Sequence, residues 1–498
     1  LTDKPPGGYP KNPRDPHRLF GQPLVMDAGV RIVYVDLDHT LIRIDSLRER
    51  LLLAILRKPP LFFQALRWLV QGGRARLKVE IASRCALDVA NLPFNEELLS
   101  YLKEKRNSGL ELVLATGAPY AWARAISDHL AIFERVLATD GANGNLKGKR
   151  KLALILQDAA GKPFAYAGDA LADRPIFEAA QLPIVVGGGA GLAGKQADKA
   201  VLIRQKPGHA LGWWKSLRPH QWSKNILIFA PAIAAHQLNK LWPNGFLAFW
   251  AFSLVASAFY LLNDFADIDL DRQHPDKRLR SQASGALCPS HALVITAILL
   301  LAAAGAAIHL PLKFNLILLC YGIVNILYST AIKNVVVMDL ITLAFLYSLR
   351  IFAGGAACRV YVSTWMFAFI FFLALSLAHL KRFTELTQRV KEGIGSAARP
   401  TYTVEDMSLL MKVGLTSGLI SVLVLALYVT SPQTVSIYKS PALLFIVCVF
   451  LFYWVERIWF WASRERITGD PIVFIVTDHI SYLVALASMA VVWLASLY

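Results

Sequence analysis

Asn263, Asp264, Asp267 and Asp271 recur at helical spacings of three and four, directly after a long apolar segment, residues 245–262. On a helix all four can face one way. His274, Lys277, Arg278 and Arg280 follow at once. Carboxylates hold hard cations through oxygen, and clustered Lys and Arg hold phosphate oxygens. At the end of an apolar segment this combination suits a Mg²⁺–diphosphate site. A solvated loop with scattered ion pairs is the plain alternative, and the cost of placing charge in a membrane weighs against it.

A second chemical set lies upstream in four ordered pieces. DLDHT at 36–40 closes a short apolar strand and sets Asp36 and Asp38 at its carboxyl end, where open α/β sheets bind ligands. Thr116 ends a second strand in LATGA, Lys151 lies in NLKGKRK, and GDALAD at 168–173 supplies Asp169 and Asp173. Phosphoryl transfer needs a nucleophile, an acid/base, a metal and cations around the phosphate. These are the residue types present.

The elements that must position both sets follow from composition. The chain has 498 residues, 55% of them hydrophobic, and a mean hydropathy of +0.44, too apolar for an ordinary soluble enzyme of this length. Apolar runs long enough to cross a bilayer concentrate after about residue 225. The net charge of +17 suggests loops near anionic lipid and polyanionic substrates. Nucleic acid is not expected, because no basic patch with interleaved aromatics lies on a soluble element. The five cysteines form no CxxC pair, so neither zinc nor a disulfide framework is indicated.

The fold expected is multi-domain: a soluble α/β domain with a helical cap, then an all-α polytopic membrane domain. Residues 1–30 read as a flexible tail without an apolar leader. Residues 31–205 alternate strands (31–35, 110–116, 163–168, 182–187) with helical stretches, the cap occupying about 46–108. Residues 206–224 form a basic linker, and 225–498 are membrane-embedded. About nine spans are expected, near 225–241, 245–262, 290–308, 313–329, 336–353, 363–380, 409–430, 441–462 and 473–497. Lys and Arg concentrate in alternate loops. That places the soluble domain and both sites in the cytoplasm and the C-terminus outside, in a bacterial inner membrane. Within the cap, residues 51–78 are apolar and basic together, which suits either rest on a membrane face or packing on the core.

In order and context, the soluble set resembles the haloacid dehalogenase (HAD) superfamily over about a third of the chain. The resemblance implies that Asp36 attacks phosphorus and that Asp38 protonates the leaving alcohol and later activates water. It also implies that Thr116 and Lys151 hold phosphoryl oxygens, and that Asp169, helped by Asp173, completes a Mg²⁺ site with Asp36 and Asp38. His39 stands where family members more often carry Gly, which bears on the turn rather than on the chemistry.

The membrane part resembles the UbiA superfamily of intramembrane transferases, through RPHQWSKN (218–225), the Asp-rich run, YSTAIKNVVVMD (328–339), LRIFAGG (349–355), LKRFTEL (380–386) and GDPIVF (469–474). It is most similar to members that join phosphoribosyl diphosphate (PRPP) to a polyprenyl phosphate. Members acting on aromatic rings carry a second DxxxD motif, whereas here the later loop places Lys381 and Arg382 beside Glu385. Cations there suit two separate anions.

The resemblance implies Mg²⁺ on Asp264, Asp267 and Asp271, with Asn263 positioning the diphosphate. Lys277, Arg278, Lys333, Arg350, Lys381 and Arg382 become candidate phosphate ligands, and Tyr328 and Glu385 candidate ribose contacts. Asp339, Asp470 and Asp478 are read as partners of nearby cations. The function expected is 5-phosphoribosyl transfer from PRPP to a polyprenyl phosphate, followed by removal of the 5-phosphate in the soluble domain. The alternatives are an aromatic polyprenyltransferase with an unrelated phosphatase, and a non-catalytic lipid-phosphate carrier. Membrane lipid is the expected surrounding, and a homo-oligomer is compatible with it.

Overall fold

The computed structural model describes residues 29–140, 144–203, 214–391, 402–467 and 471–497. Residues 1–28 of the tail expected at 1–30, residues 206–213 of the linker and Asp470 lie outside them, and Val30, expected in the tail, is buried in the core of the first unit. The chain divides into two compact units: Leu1–His209 with Pro275–Pro289, and Ala210–His274 with Ser290–Tyr498.

The first unit is built on a six-stranded parallel sheet in the order β3-β2-β1-β4-β5-β6. The strands are β1 (Ile32–Val35), β2 (Glu111–Pro119), β3 (Arg135–Thr139), β4 (Phe164–Gly168), β5 (Leu182–Val186) and β6 (Val201–Ile203). The central strands β1 and β4 are buried along their whole length, as expected where helices cover both faces of a parallel sheet. One apolar cluster, including Val33, Val35, Leu112 and Leu114, fills one face, and another, including Ile32, Tyr34, Val113 and Phe177, fills the other. The alternation of β1 residues between them is the strand period of two.

The helices are α1 (Ser46–Arg57), α2 (Leu61–Arg84), α3 (Glu96–Asn107), α4 (Tyr120–Leu130), α5 (Lys149–Ala159) and α6 (Arg174–Ala179). Asp45 caps α1, its side chain accepting from the Arg48 N–H. α2 breaks at Gly72 and Gly73, whose backbone angles are non-helical. Leu98, Leu99 and Leu102 of α3 join the sheet's core, so the cap proper reduces to α1 and α2, which pack with Trp122 of α4 in a cluster of their own.

Pro275–Pro289 follows the Asp-rich run in sequence yet packs with this unit. Ala283 and Leu287 are buried. Gly285 has φ +75°, and a Cβ there would lie 2.9 Å from the Arg43 Cβ and 3.1 Å from the Ile44 Cγ2. Only glycine allows that approach.

In the second unit, eight helices among the described residues are long and apolar enough to cross a membrane: Asn244–Ala266, Pro289–Ala307, Leu312–Thr330, Met338–Cys358, Thr364–Lys391, Val404–Val429, Pro441–Ser463 and His479–Leu497. The span expected at 225–241 departs from this. It is a 3-10 helix, Pro219–Phe229, continuing into a short α-helix, Ala230–Ala234. Pro231 interrupts a continuous α-helical ladder, whereas Pro219 opens the rod at its first turn, where proline is tolerated. At a rise of about 2.0 Å per residue in the 3-10 part and about 1.5 Å in the α part, the rod is still about 30 Å long.

Small and aromatic residues set the packing of this unit. Phe252, Phe314 and Tyr321 meet in one core, with Phe252 and Tyr321 centroids 4.7 Å apart. Gly414, Ser417, Gly418 and Ser421 line the buried face of the Met407–Val429 helix, the small-residue spacing that brings membrane helices close. Gly354 makes the tightest approach, because a Cβ there would stand 1.9 Å from the Ile228 carbonyl oxygen. Gly354→Ala should therefore separate the 3-10 rod from the Met338–Cys358 helix and cost on the order of 1–3 kcal/mol or more. Thermal unfolding of the purified protein in detergent should show a melting temperature several degrees lower, and an unchanged value would contradict this contact.

Candidate functional site

Register alone assembles the soluble site. Val35 pairs with Leu114 of β2 and Ala167 of β4, so Asp36 emerges between the strands that carry Thr116 and Asp169. The Asp36 N–H donates to the Ala167 carbonyl at 2.9 Å, and its Oδ1 accepts from the Leu37 N–H at 2.8 Å. Its Oδ2 faces the Lys151 Nζ at 2.9 Å. Lys151 is itself buried, lies 3.9 Å from Asp173 and donates to the Tyr166 hydroxyl at 2.6 Å. Thr116 is buried on β2, its Oγ1 accepting from the Ala118 N–H at 3.0 Å. His39 stands at φ +56°. It adopts the left-handed conformation that glycine favours, so the turn survives the substitution.

The electrostatics divide the carboxylates. Burial pushes Asp38 up to about 7, with Asp45 adding to the rise and the Ser46 hydrogen bonds opposing it; the Ser46 N–H donates to Asp38 Oδ1 at 2.8 Å. A carboxyl that keeps its proton near neutral pH suits a general acid. Burial also pushes Asp173 up to about 6, opposed by Lys151 and reinforced by Asp36. Asp169 is raised by burial and by Asp36, against the Thr40 hydroxyl that donates to it at 2.9 Å. Carboxylates that raise one another around a single lysine form a donor set short of positive charge, and oxygen donors of this kind fit Mg²⁺. As they stand, no three Asp, Glu, His or Cys side chains among the described residues are gathered closely enough to hold an ion.

Lys78 is a site residue that sequence placed only within a basic stretch. It projects from α2 and donates to the Gly117 carbonyl, beside Thr116, and to Asn145 Oδ1 at 2.7 Å. Burial lowers its pKa, while Asp38, Asp45 and Asp36 act to raise it. The cap thus contributes a second lysine to the field of the two aspartates. Its spacing from the other motifs carries no signal, because the cap fold brings it there.

In the second unit the Asp-rich residues straddle the end of the Asn244–Ala266 helix and a short helix, Ile268–Gln273. Each of two aspartates holds a cation from elsewhere in the unit. Arg218 pairs with Asp264, and Lys333 pairs with Asp267 at 2.7 Å. Asp271 is buried. The Ser329 hydroxyl donates to Asn263 Oδ1 at 2.6 Å, which leaves the amide N–H groups of Asn263 to offer. Arg218 was not singled out as a ligand in sequence, although it opens RPHQWSKN.

Arg382 lies 3.0 Å from Asp339 and 2.7 Å from Glu385. Tyr402 donates to Asp339 at 2.7 Å, and Tyr328 bears on the same guanidinium. Lys381 is half-buried on that helix. Arg457 grips Asp478 through two 2.8 Å bonds.

One expected grouping is not found. Arg350 is buried among Phe252, Tyr321 and Tyr347, donating to Asn225 Oδ1 at 2.8 Å and to the Tyr321 hydroxyl at 3.2 Å. Its fork is spent on the 3-10 rod and on its helix neighbours rather than on the aspartates. Lys277 and Arg278 sit on a 3-10 turn, Lys277–Leu279, in the segment that packs with the first unit.

Comparison with known proteins bears on both units. The UbiA prenyltransferase family model matches residues 226–496, and the haloacid dehalogenase-like hydrolase model matches residues 33–178. The uncharacterized protein y4nM of Sinorhizobium fredii is 32% identical over 90% of this chain and 88% of its own. A decaprenyl-phosphate phosphoribosyltransferase of Mycobacterium tuberculosis is 31% identical over 40% of this chain and 67% of its own. A UbiA homolog from Archaeoglobus fulgidus bound to GPP and Mg²⁺ is 18% identical with a TM-score of 0.44, covering 56% of this chain and 99% of that one.

With Asp38 as the acid toward an alkyl phosphomonoester, its raised pKa would carry a pH dependence: below about 7 the carboxyl holds a proton for the departing alkoxide, and above about 7 it has lost it. Phosphate release from ribose 5-phosphate by the full-length protein should therefore decline as pH rises through about 7, and Asp38→Asn should abolish it. A rate that climbs through that range would remove Asp38 from the role of acid.

Proposed function

This chain belongs to the UbiA prenyltransferase family and carries an N-terminal HAD-like hydrolase domain, and we propose that it transfers 5-phosphoribose from PRPP to a polyprenyl phosphate and then removes the 5-phosphate. The observation that carries this reading is the cationic character of the second site. Arg218 and Lys333 sit on the first acidic run, and the later helix offers Lys381 and Arg382 where a second metal-binding acidic pair would serve a prenyl diphosphate. Two anionic substrates, a sugar diphosphate and a lipid phosphate, match that balance. The phosphoribosyltransferase relative supports it.

Bound at Asp264, Asp267 and Asp271, Mg²⁺ would neutralise the departing diphosphate. Arg218 and Lys333 then exchange their carboxylates for phosphate oxygens, so positive charge already at the site follows the anion in. Asn263, its carbonyl held by Ser329, presents amide N–H donors to the same group. Lys381 and Arg382 hold the lipid phosphate, and Tyr328 and Glu385 orient the ribose. A phosphate oxygen attacks C1 as the bond from C1 to the diphosphate breaks. No protein base is required, because that oxygen is ionised at neutral pH. In the HAD domain Asp36 attacks the 5-phosphate, Asp38 protonates the released ribose oxygen, and water cleaves the acyl phosphate with Asp38 as base. The Lys and Arg bias of the loops supports a cytoplasmic face for both sites, with the C-terminus outside.

Labelled PRPP, polyprenyl phosphate and Mg²⁺ supplied to the purified protein test the transfer. Asp264→Ala or Asp267→Ala should lower it on the order of a hundredfold or more, and EDTA should stop it. Faster reaction of 4-hydroxybenzoate with a prenyl diphosphate would favour an aromatic prenyltransferase instead. The second step has its own readout in the mass of the lipid product. Wild type should yield polyprenyl-phosphoryl ribose, and Asp36→Asn should stop at the 5-phosphorylated lipid. Identical products from the two proteins would sink the coupled dephosphorylation.

A further inference from the structure

The first half of α2, before the break at Gly72 and Gly73, carries two apolar faces. Leu61, Ala65 and Trp68 are buried against the rest of the cap and Trp122. Phe62, Phe63, Leu66, Leu69 and Val70 lie on the other side and are exposed, Phe63 by 72% and Val70 by 81%. At about 100° per residue these five sweep about 120° of the helix surface. One core face suffices to hold a helix to its domain, so the second needs its own occupant.

Charge identifies that occupant. Residues 51–79 contain no Asp or Glu, while Arg57, Lys58, Arg67, Arg74, Arg76 and Lys78 fall within them. All but Lys78 are exposed. Aromatic and aliphatic side chains flanked only by cations match an anionic lipid surface, where rings enter the acyl boundary and Lys and Arg reach headgroup phosphates. A protein partner or a second copy would more commonly present opposite charges to be met on this face.

We propose that the Leu61–Gln71 half of α2 is an interfacial membrane helix, seated in the headgroup region of an anionic bilayer. The break at Gly72 and Gly73 frees it from the direction of the following half, whose Lys78 reaches the catalytic carboxylates' field. One cap helix thereby joins a lipid-seated surface to the hydrolase cleft, so the cleft faces substrates that remain in the membrane. This second consequence rests on the hydrolase reading of the domain; the membrane seat does not.

Spin labels on Phe63→Cys and Val70→Cys test the seat in the full-length protein reconstituted into vesicles of phosphatidylcholine and phosphatidylglycerol, its five native cysteines replaced by serine. Collisions with oxygen should exceed those with a water-soluble nickel chelate at both positions, and the reverse should hold at Glu97→Cys on α3. Water-like accessibility at 63 and 70 overturns the proposal. Label–label broadening there overturns it too, since it identifies a second copy as the occupant. Phe63→Glu with Val70→Glu should then slow phosphate release from a lipid-borne phosphomonoester about tenfold or more while leaving ribose 5-phosphate hydrolysis unchanged. Equal loss on both substrates identifies a folding defect and overturns the link to substrate. Failure of Asp36→Asn to change the lipid product, with the accessibility pattern intact, would remove the coupled reaction and leave the seat standing.

Discussion

Fixed positive charge holds the candidate site carboxylates of this protein and Asp339. Lys151 sits on Asp36, Arg218 on Asp264, Lys333 on Asp267 and Arg382 on Asp339. Every pair joins two elements distant in sequence, so each is both a tether and a charge balance. Removing one partner leaves the other's charge without its counter-ion in a partly buried setting. Under the proposed function the same pairing would prepare chemistry. A site that already contains its cations loses little reorganisation energy when a phosphate arrives, because the lysines and arginines exchange one anion for another.

The buried guanidinium of Arg350 shows the complementary use of charge. Among the described residues it meets Asn225, Tyr321 and aromatic faces instead of a carboxylate. A planar, weakly hydrated cation tolerates such a setting better than an ammonium would. Its hydrogen bond to Asn225 locks the 3-10 rod, Pro219–Phe229, against the Met338–Cys358 helix, and Gly354 closes the same joint by steric means. The rod begins one residue after Arg218, so the joint also fixes where that arginine can reach. Charge deep in this unit therefore serves position, whereas the charges at the helix ends are those that the proposed function assigns to ligands.

What could be read from the residues follows from how locally each feature is encoded. The four strands recognised in sequence are those whose apolar runs end in a chemical motif or a glycine, and three of them, β1 with its neighbours β2 and β4, bring Asp36 beside Thr116 and Asp169. β3 and β6 escaped because they are the sheet's edges. β3 opens on the exposed Arg135, and β6 is only three residues long, so neither carries the dense apolar run of a central strand. Asp36, Thr116 and Asp169 were legible because strand register brings them together, and Lys151 because it lies in the first turn of α5, directly before β4. Lys78 and Arg218 were not, since their places depend on a cap helix and on a 3-10 rod whose geometry no local pattern predicts. The rod misled for a related reason: hydropathy reports that a segment is apolar, not whether its prolines allow an α-helical ladder.

The soluble unit is also discontinuous. Its sheet is complete by residue 203, but its surface at Arg43 and Ile44 is finished by Gly285 and its neighbours, which follow the Asn244–Ala266 helix in the chain. At a ribosomal pace of about 5–20 residues per second, the sheet waits several seconds for that last piece. During the wait the segment just beyond Asp36 and Asp38 lacks its final packing partner. Completion of this unit's surface therefore comes later in synthesis than the Asn244–Ala266 helix.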